Sequence, residues 1–155
     1  MFPHPLTWRD TLAAGDIVAF KFPCTDDPLA EKARPCLIVE VDRVTDEAVV
    51  VYGTSRWTGP NRGHELHVIE PADCDEAALD KPTRFVGARR VRVPLACARF
   101  VECRQGTAVL GRLGKNFRPR LDRIRHISPR HSRRGHLRRP AGRRVFPNQH
   151  HRRPA

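Results

Sequence analysis

The sequence lacks the features that would assign it to a membrane or to several large classes of enzyme. It contains no run of about 18 apolar residues, so no segment is expected to span a bilayer. Its beginning, MFPHPLTWRD, does not combine a basic region with an apolar one, as a secretory signal would. The motifs H-E-x-x-H, G-x-x-x-x-G-K-[ST] and G-x-S-x-G are absent, as is an Asp-rich cluster suited to Mg²⁺. These absences argue against P-loop enzymes and most metal hydrolases.

Cysteine pairs with metal-ligand spacing are also missing. The five cysteines are odd in number and never spaced as C-x-x-C: Cys24, Cys36, Cys74, Cys97 and Cys103. We interpret them as free thiols in a reducing cytosol, so a cytoplasmic location is expected. A zinc site is the alternative, but Cys97 and Cys103 would have to recruit histidines from elsewhere, which their spacing does not support. No metal ion or other cofactor is therefore expected.

Acidic residues are missing from the last part of the chain. All 17 lie at or before Asp122, whereas the segment from Pro129 onwards contains nine arginines and no acid. Without those nine charges, the net charge of +12 falls to +3 for residues 1–128. We therefore expect a folded domain at residues 1–128 and a disordered basic tail at residues 129–155, which has too little apolar surface to offset its ordering entropy. The tail could be a nucleic-acid-binding arm, a solvated extension without a selected role, or a poorly defined gene end.

The chain does contain a series of short segments typical of β-strands. GDIVAFKF (residues 15–22), PCLIVEVD (35–42) and AVVVYGTS (48–55) are apolar and rich in β-branched residues, which predicts strands. The second suits a central strand buried on both faces. The second and third are close enough in sequence to form an antiparallel hairpin across DRVTDE. CTDDPLAEKA, between the first and second, is polar and predicts a loop.

Later segments extend this pattern. HELHVIE (residues 64–70) alternates and predicts a strand, and TRFVGARRVRVPL (83–95) predicts one or two strands with one wet, basic face. ADCDEAALD (72–80) and RLDRIRHI (120–127) predict short helices, while residues 107–113 are ambiguous. Together, these segments predict an all-β fold. Sequential antiparallel strands would form a small closed or partly closed barrel with one or two short inserted helices.

Two polar motifs stand at the ends of neighbouring predicted strands. Arg34 begins the second strand, and Thr54, followed by Ser55, ends the third. Because the start of one strand of a hairpin lies near the end of the next, Arg34 and Thr54 are expected at one end of the sheet. A guanidinium beside a hydroxyl suits a phosphate group. The alternative is that Arg34 is a solvated edge charge or a salt-bridge partner of Glu31 or Asp16.

Other side chains are weaker candidates for contacts with nucleic acid. Trp57 could stack on a base or cover the end of the core. Arginines of the 83–95 segment could line a basic groove or form only a wet face: Arg84, Arg89, Arg90 and Arg92. His64 and His67 could transfer protons near neutral pH, or could be surface or packing histidines.

The order GDIVAFKFP, loop, RPCLIVEV and VVVYGTSR resembles the MazF/PemK/Kid toxins of type II toxin–antitoxin systems over residues 14–56. The later TRFVGARRVRVPL and FVECRQGTAVLGRL stretches are similar to a PemK-like subgroup, with less specificity. The resemblance implies an SH3-like β-barrel, usually dimeric, that cleaves single-stranded RNA without a metal ion and is neutralised by a cognate antitoxin. It assigns catalysis to Arg34 and Thr54, with Ser55 adjacent. Arg56, Trp57, Arg84 and Arg89 are then expected to contact RNA.

Two features depart from this pattern, and two other classes of function remain open. The segment from Thr54 to Thr83 is longer than in the shorter toxins, and the basic tail is additional. The chain could instead be a nucleic-acid-binding module that cleaves nothing. It could also be a purely protein-binding toxin on a related barrel, directed for example at gyrase. Loss of RNA cleavage on substitution of Arg34, with the fold intact, would distinguish the nuclease from both alternatives.

Overall fold

The computed structural model describes residues 5–23, 32–57 and 64–126, which form one six-stranded sheet with a few short helices. Every strand pairing is antiparallel, so the expected all-β class is confirmed. A 3-10 helix, Lys115–Phe117, immediately precedes the last helix. The other elements, in chain order, are α1 (Trp8–Thr11), β1 (Asp16–Phe20), β2 (Arg34–Asp42), β3 (Glu47–Thr54), β4 (Glu65–Val68), α2 (Pro71–Glu76), β5 (Thr83–Pro94), β6 (Val109–Arg112) and α3 (Arg118–Arg125).

The strand order across the sheet is β4-β5-β3-β2-β1-β6. The first three strands are neighbours in chain order, and the expected hairpin between β2 and β3 is confirmed. A purely sequential order is wrong beyond β3, because β5 pairs with β3, β4 lies outside β5, and β6 returns to pair with β1. The 12-residue length of β5 explains the difference, since its first part is paired with β3 on one side and β4 on the other.

Both faces of the sheet are covered by apolar side chains. In β2, Leu37 and Val39 belong to one core cluster, whereas Cys36 and Ile38 belong to the other, as expected for a strand buried on both sides. Side chains of α2 and α3 complete the first cluster. The second is completed by Trp8 of α1 and by side chains that follow β5.

The sheet curls into a half-barrel, and one connecting segment reaches from one edge towards the other. The turn after α2, which follows the edge strand β4, packs against Gly111 in the opposite edge strand β6. A β-carbon at Gly111 would collide with the carbonyl group of Ala77, so this approach requires glycine. This turn after α2 also forms one wall of the cleft described below.

Strand β5 contains a bulge. Val51 of β3 pairs with Arg90, but the next residue, Tyr52, pairs with Val86, so residues 87–89 have no counterpart on β3. Because side chains alternate between the faces of a strand, an odd number of extra residues exchanges the two faces beyond the bulge.

The bulge sends Arg90 into the core. Its side chain donates from Nε to the Gly87 carbonyl oxygen at 2.8 Å and from Nη2 to the Ile124 carbonyl oxygen at 2.6 Å. Only 6% of Arg90 is exposed. One face of β5 was expected to be basic and exposed to solvent, and this expectation is wrong at Arg90.

Several element boundaries differ from those expected. Helix α2 ends at Glu76, because Ala78 adopts a left-handed conformation with φ of 59°. Helix α3 starts before the predicted segment, with Pro119 in its first turn, where a missing N–H is harmless. Helix α1 was not anticipated from the sequence.

Some expectations fall outside the part of the chain that the structure describes. These concern most of the predicted loop CTDDPLAEKA (residues 24–33), which includes Cys24, and the basic tail. Four cysteines carry free thiols within the described residues: Cys36, Cys74, Cys97 and Cys103. None of the described helices is long and apolar enough to cross a membrane.

Candidate nucleic-acid cleft

A cleft of about 650 Å³ opens at the end of the sheet where β2 begins and β3 ends. Its walls include residues of both strands and the turn that follows α2. Among the residues that the structure describes, these walls carry one acidic residue, Asp80, and four basic residues: Lys32, Arg34, Arg56 and Lys81. A concave surface with this balance of charge attracts anions.

The close approach of β2 and β3 builds this end of the sheet. Leu37 pairs with Val51, and continuing the antiparallel register brings Arg34 opposite Thr54. A β-carbon at Gly53 would collide with the carbonyl oxygen of the proline next to Arg34, so glycine lets the two backbones come together. The structure thus brings Arg34 and Thr54 to one cleft, together with Ser55 and Arg56.

The Arg34 guanidinium is held by an aromatic residue. Its Nη1 donates a hydrogen bond to the Tyr52 hydroxyl oxygen at 2.8 Å, and its Cζ lies 5.2 Å from the centre of the Tyr52 ring. Within residues 5–23, 32–57 and 64–126, no carboxylate forms an ion pair with Arg34. Asp16, a partner considered from the sequence, pairs with Arg112 at 2.8 Å instead, and Glu31 lies outside these residues. Arg34 is therefore oriented without being neutralised by a described carboxylate.

The three residues from Thr54 to Arg56 turn the chain at the cleft. Thr54 is buried, and its Oγ1 accepts a hydrogen bond from the backbone N–H of Arg56 at 3.1 Å. Ser55 and Arg56 are exposed. The Arg56 carbonyl oxygen accepts a hydrogen bond from Arg84 Nε at 2.9 Å, so β5 supports this turn from behind.

Arg84 and Trp57 belong to a network beside the cleft. Glu65 has only 3% of its side chain exposed, and it pairs with Arg84 Nη1 at 3.1 Å and His67 Nε2 at 2.8 Å. The Trp57 ring meets the His67 ring edge to face, with centroids 4.9 Å apart. Because a buried carboxylate needs partners, this arrangement gives Arg84 and His67 structural contacts with Glu65.

A second cavity, of about 580 Å³, has a different charge. Its described lining includes His67, the acidic residues Glu65, Glu70 and Asp73, and the basic residue Arg120. This balance makes the second cavity a poorer site for a polyanion than the cleft at Arg34. His64 lies just before β4 and is exposed.

Three residues were not expected from the sequence: Lys32 and Lys81, which line the cleft, and Tyr52, which contacts Arg34. Tyr52 lies two residues before Thr54, so strand alternation could have placed it on the same face. Lys32 precedes Arg34 by two residues, whereas no local signal connects Lys81 to this end of the sheet. Arg89, a predicted RNA contact, lies with its Cζ 3.9 Å from the centre of the Tyr52 ring.

The comparisons with known proteins assign no family. No protein-family model matches the chain, and no curated protein matches it. Among the described residues, no group of three or more His, Cys, Asp or Glu side chains is placed to hold a metal ion. What the cleft can do chemically follows from its own residues, which offer cationic donors and hydroxyl groups to an anion.

Proposed function

We propose that this protein is an endoribonuclease toxin that cleaves single-stranded RNA at specific sequences without a metal ion and is neutralised by a cognate antitoxin. Its half-barrel then corresponds to the SH3-like barrel of the MazF/PemK/Kid toxins that residues 14–56 resemble, and the active form is a homodimer. The observation that carries the proposal is the position of Arg34, which stands beside a basic cleft without a described carboxylate partner.

The chemistry suits such a guanidinium. When the RNA 2′-oxygen attacks the adjacent phosphorus, the 2′-hydroxyl proton passes to water, the bond to the 5′-oxygen breaks, and the 5′-oxygen takes up a proton from water. Negative charge develops on the non-bridging oxygens in the transition state. A fixed guanidinium aimed at these oxygens stabilises the transition state, and one such donor is worth roughly 10²–10³ in rate. The products are a 2′,3′-cyclic phosphate and a 5′-hydroxyl end.

Thr54 completes the proposed catalytic pair. Its hydroxyl oxygen is held by the backbone N–H of Arg56, so the hydroxyl hydrogen can be donated to a phosphate oxygen or to a water molecule. Arginine itself is a poor proton carrier because its guanidinium stays protonated in proteins. Ser55, Arg56 and the two lysines of the cleft contribute further donors for the RNA backbone.

The test uses the purified protein on a long single-stranded RNA in the presence of EDTA. The wild type should give discrete cuts with 5′-hydroxyl ends, mapped by primer extension, and Arg34→Ala should reduce the rate by about 10²–10³. Arg92→Ala is the matched control, because Arg92 pairs with Glu40 and Glu47 away from the cleft. Equal cleavage by wild type and Arg34→Ala, with both proteins folded, would refute the assignment.

The second candidate function is binding of nucleic acid without cleavage, which the basic walls of the cleft also favour. It predicts intact RNA after incubation with the wild type, together with a mobility shift that weakens as salt is added. Uncut RNA without any shift would contradict both candidates and favour a toxin that acts only on proteins.

A further inference from the structure

Tyr52 is contacted by two guanidinium groups. The Arg34 Cζ lies 5.2 Å and the Arg89 Cζ 3.9 Å from the centre of its ring, and Arg34 also donates to its hydroxyl oxygen at 2.8 Å. The ring of Phe22 packs edge to face against Tyr52, with centroids 5.2 Å apart. Tyr52 is therefore fixed by packing on one side while it contacts a cation from each of two strands.

The bulge in β5 positions the second guanidinium, that of Arg89. Arg89 is the last of the residues 87–89 that have no counterpart on β3, and the next residue, Arg90, is anchored by its hydrogen bonds to Gly87 and Ile124. Bulges commonly redirect a side chain beside an active site. Here the bulge brings a surface arginine to the aromatic ring that also holds Arg34.

The spacing of the two cations suits a polyanion. Since their carbons lie 5.2 Å and 3.9 Å from one point, they are at most about 9 Å apart. Phosphate groups that follow one another along a nucleic-acid strand can contact both guanidinium groups at this distance. Cation–π contacts contribute to holding each guanidinium near the ring, and a guanidinium carries five N–H donors, so one side chain can serve more than one acceptor.

We propose that Tyr52 is a positioning residue that holds the Arg34 guanidinium at the scissile phosphate, and that Arg89 binds a neighbouring phosphate of the same RNA strand. The role of Tyr52 rests on the proposed function, whereas the phosphate contact of Arg89 does not require that the RNA is cleaved. The Tyr52 hydroxyl occupies one N–H of Arg34 and restricts rotation of the long side chain, so the remaining donors are preorganised. Arg89 supplies affinity and register, as arginine contacts to phosphate do.

Two substitutions separate these roles. Tyr52→Phe retains the ring and its packing but removes the hydroxyl, so kcat should fall roughly tenfold with little change in KM. Arg89→Gln should raise KM with kcat nearly unchanged, because it removes binding common to the ground state and the transition state. Arg92→Gln, on the same strand and outside the cluster, is the control for loss of one positive charge.

Binding is measured separately on a mixed-sequence 2′-O-methyl oligonucleotide, which lacks the attacking hydroxyl. For single strands the slope of log K against log salt changes by about 0.7 for each phosphate contact, so Arg89→Gln should flatten it by that amount. Tyr52→Phe should leave this slope unchanged. A merely structural effect of either substitution would not produce this division between slope and kcat.

The outcomes are distinguishable from failure of the proposed function. If the wild type binds the oligonucleotide but cuts no RNA, the nuclease assignment fails, and a flatter slope for Arg89→Gln still supports the phosphate contact. If the wild type cuts RNA but Tyr52→Phe retains its kcat, the positioning role is overturned. An Arg89→Gln slope equal to that of Arg92→Gln overturns the phosphate contact in either case.

Discussion

Arg90 gives a test of the fold that does not depend on any activity. The substitution Arg90→Met preserves much of the side-chain length and apolar stem while removing the guanidinium. That group donates to the carbonyl oxygens of Gly87 in the bulge and Ile124 in the last turn of α3, at 2.8 and 2.6 Å. The variant therefore disconnects α3 from the bulge without leaving a large cavity.

The expected loss of stability follows from the balance of two effects. A hydrogen bond from a charged donor contributes about 1.5–3 kcal/mol, and two are lost. Against this, burial removes part of the water around the Arg90 guanidinium and so lowers its pKa, and methionine escapes this penalty. Both carbonyl oxygens lose this donor, however, and although Ile124 keeps the hydrogen bond from the backbone N–H of His126, the net free energy of unfolding should fall by about 2–4 kcal/mol.

Urea denaturation followed by circular dichroism measures this difference. Arg92→Met is the matched control: Arg92 is exposed, its ion pairs with Glu40 and Glu47 span 3.5 and 3.6 Å, and the free energy should change by less than about 1 kcal/mol. A loss of under about 0.5 kcal/mol for Arg90→Met would refute the reasoning, since the cost of burying the charge would then cancel its hydrogen bonds.

Three further predictions concern other parts of the molecule. Gly53→Ala should destabilise the protein by about 1–3 kcal/mol and weaken RNA binding, measured by urea denaturation and gel shift, because the new methyl group separates β2 from β3. The indole N–H of Trp8 lowers the pKa of Glu102, so wild type should be more stable than Glu102→Gln at neutral pH. That advantage should vanish as the pH falls through the lowered pKa, and an advantage unchanged in acid would contradict it. Backbone N–H donors lower the pKa of the exposed Cys103, whereas burial raises that of Cys74, so iodoacetamide should label Cys103 faster by mass spectrometry.

The first three strands and the meeting of Arg34 with Thr54 could be predicted because their signals are local. Apolar runs with β-branched residues specify strands, and the short DRVTDE connection leaves a hairpin as the economical pairing. Once the hairpin is accepted, the antiparallel geometry brings the start of β2 to the end of β3. Two residues that are 20 positions apart in sequence then share a cleft.

The remainder of the sheet was less accessible because its signals are not local. Nothing within HELHVIE indicates that β4 pairs with the far side of β5 instead of following β3 in the sheet. The bulge depends on packing of residues 87–89 against their surroundings, including a hydrogen bond from Gly87 N–H to the His64 carbonyl oxygen at 2.7 Å. Alternation along β5 therefore predicts the wrong environment for Arg90.

The same bulge explains why a count of basic residues predicts this site poorly. Four arginines of one strand have four different roles: Arg84 neutralises Glu65, Arg89 lies on Tyr52, Arg90 binds backbone carbonyl groups in the core, and Arg92 pairs with acids at the surface.

The positive charge of the cleft depends on which basic groups the described acids pair with, as well as on the positions of the arginines. Asp16, Glu40, Glu47, Glu65 and Glu102 all pair with basic groups elsewhere in the described part of the chain. No described carboxylate pairs with a basic residue of the cleft, although Asp80 borders it. The anion affinity that we propose therefore depends on the basic residues of the cleft having no ion pair with a described carboxylate. A new acid at the cleft should weaken RNA binding more than the loss of a single surface arginine.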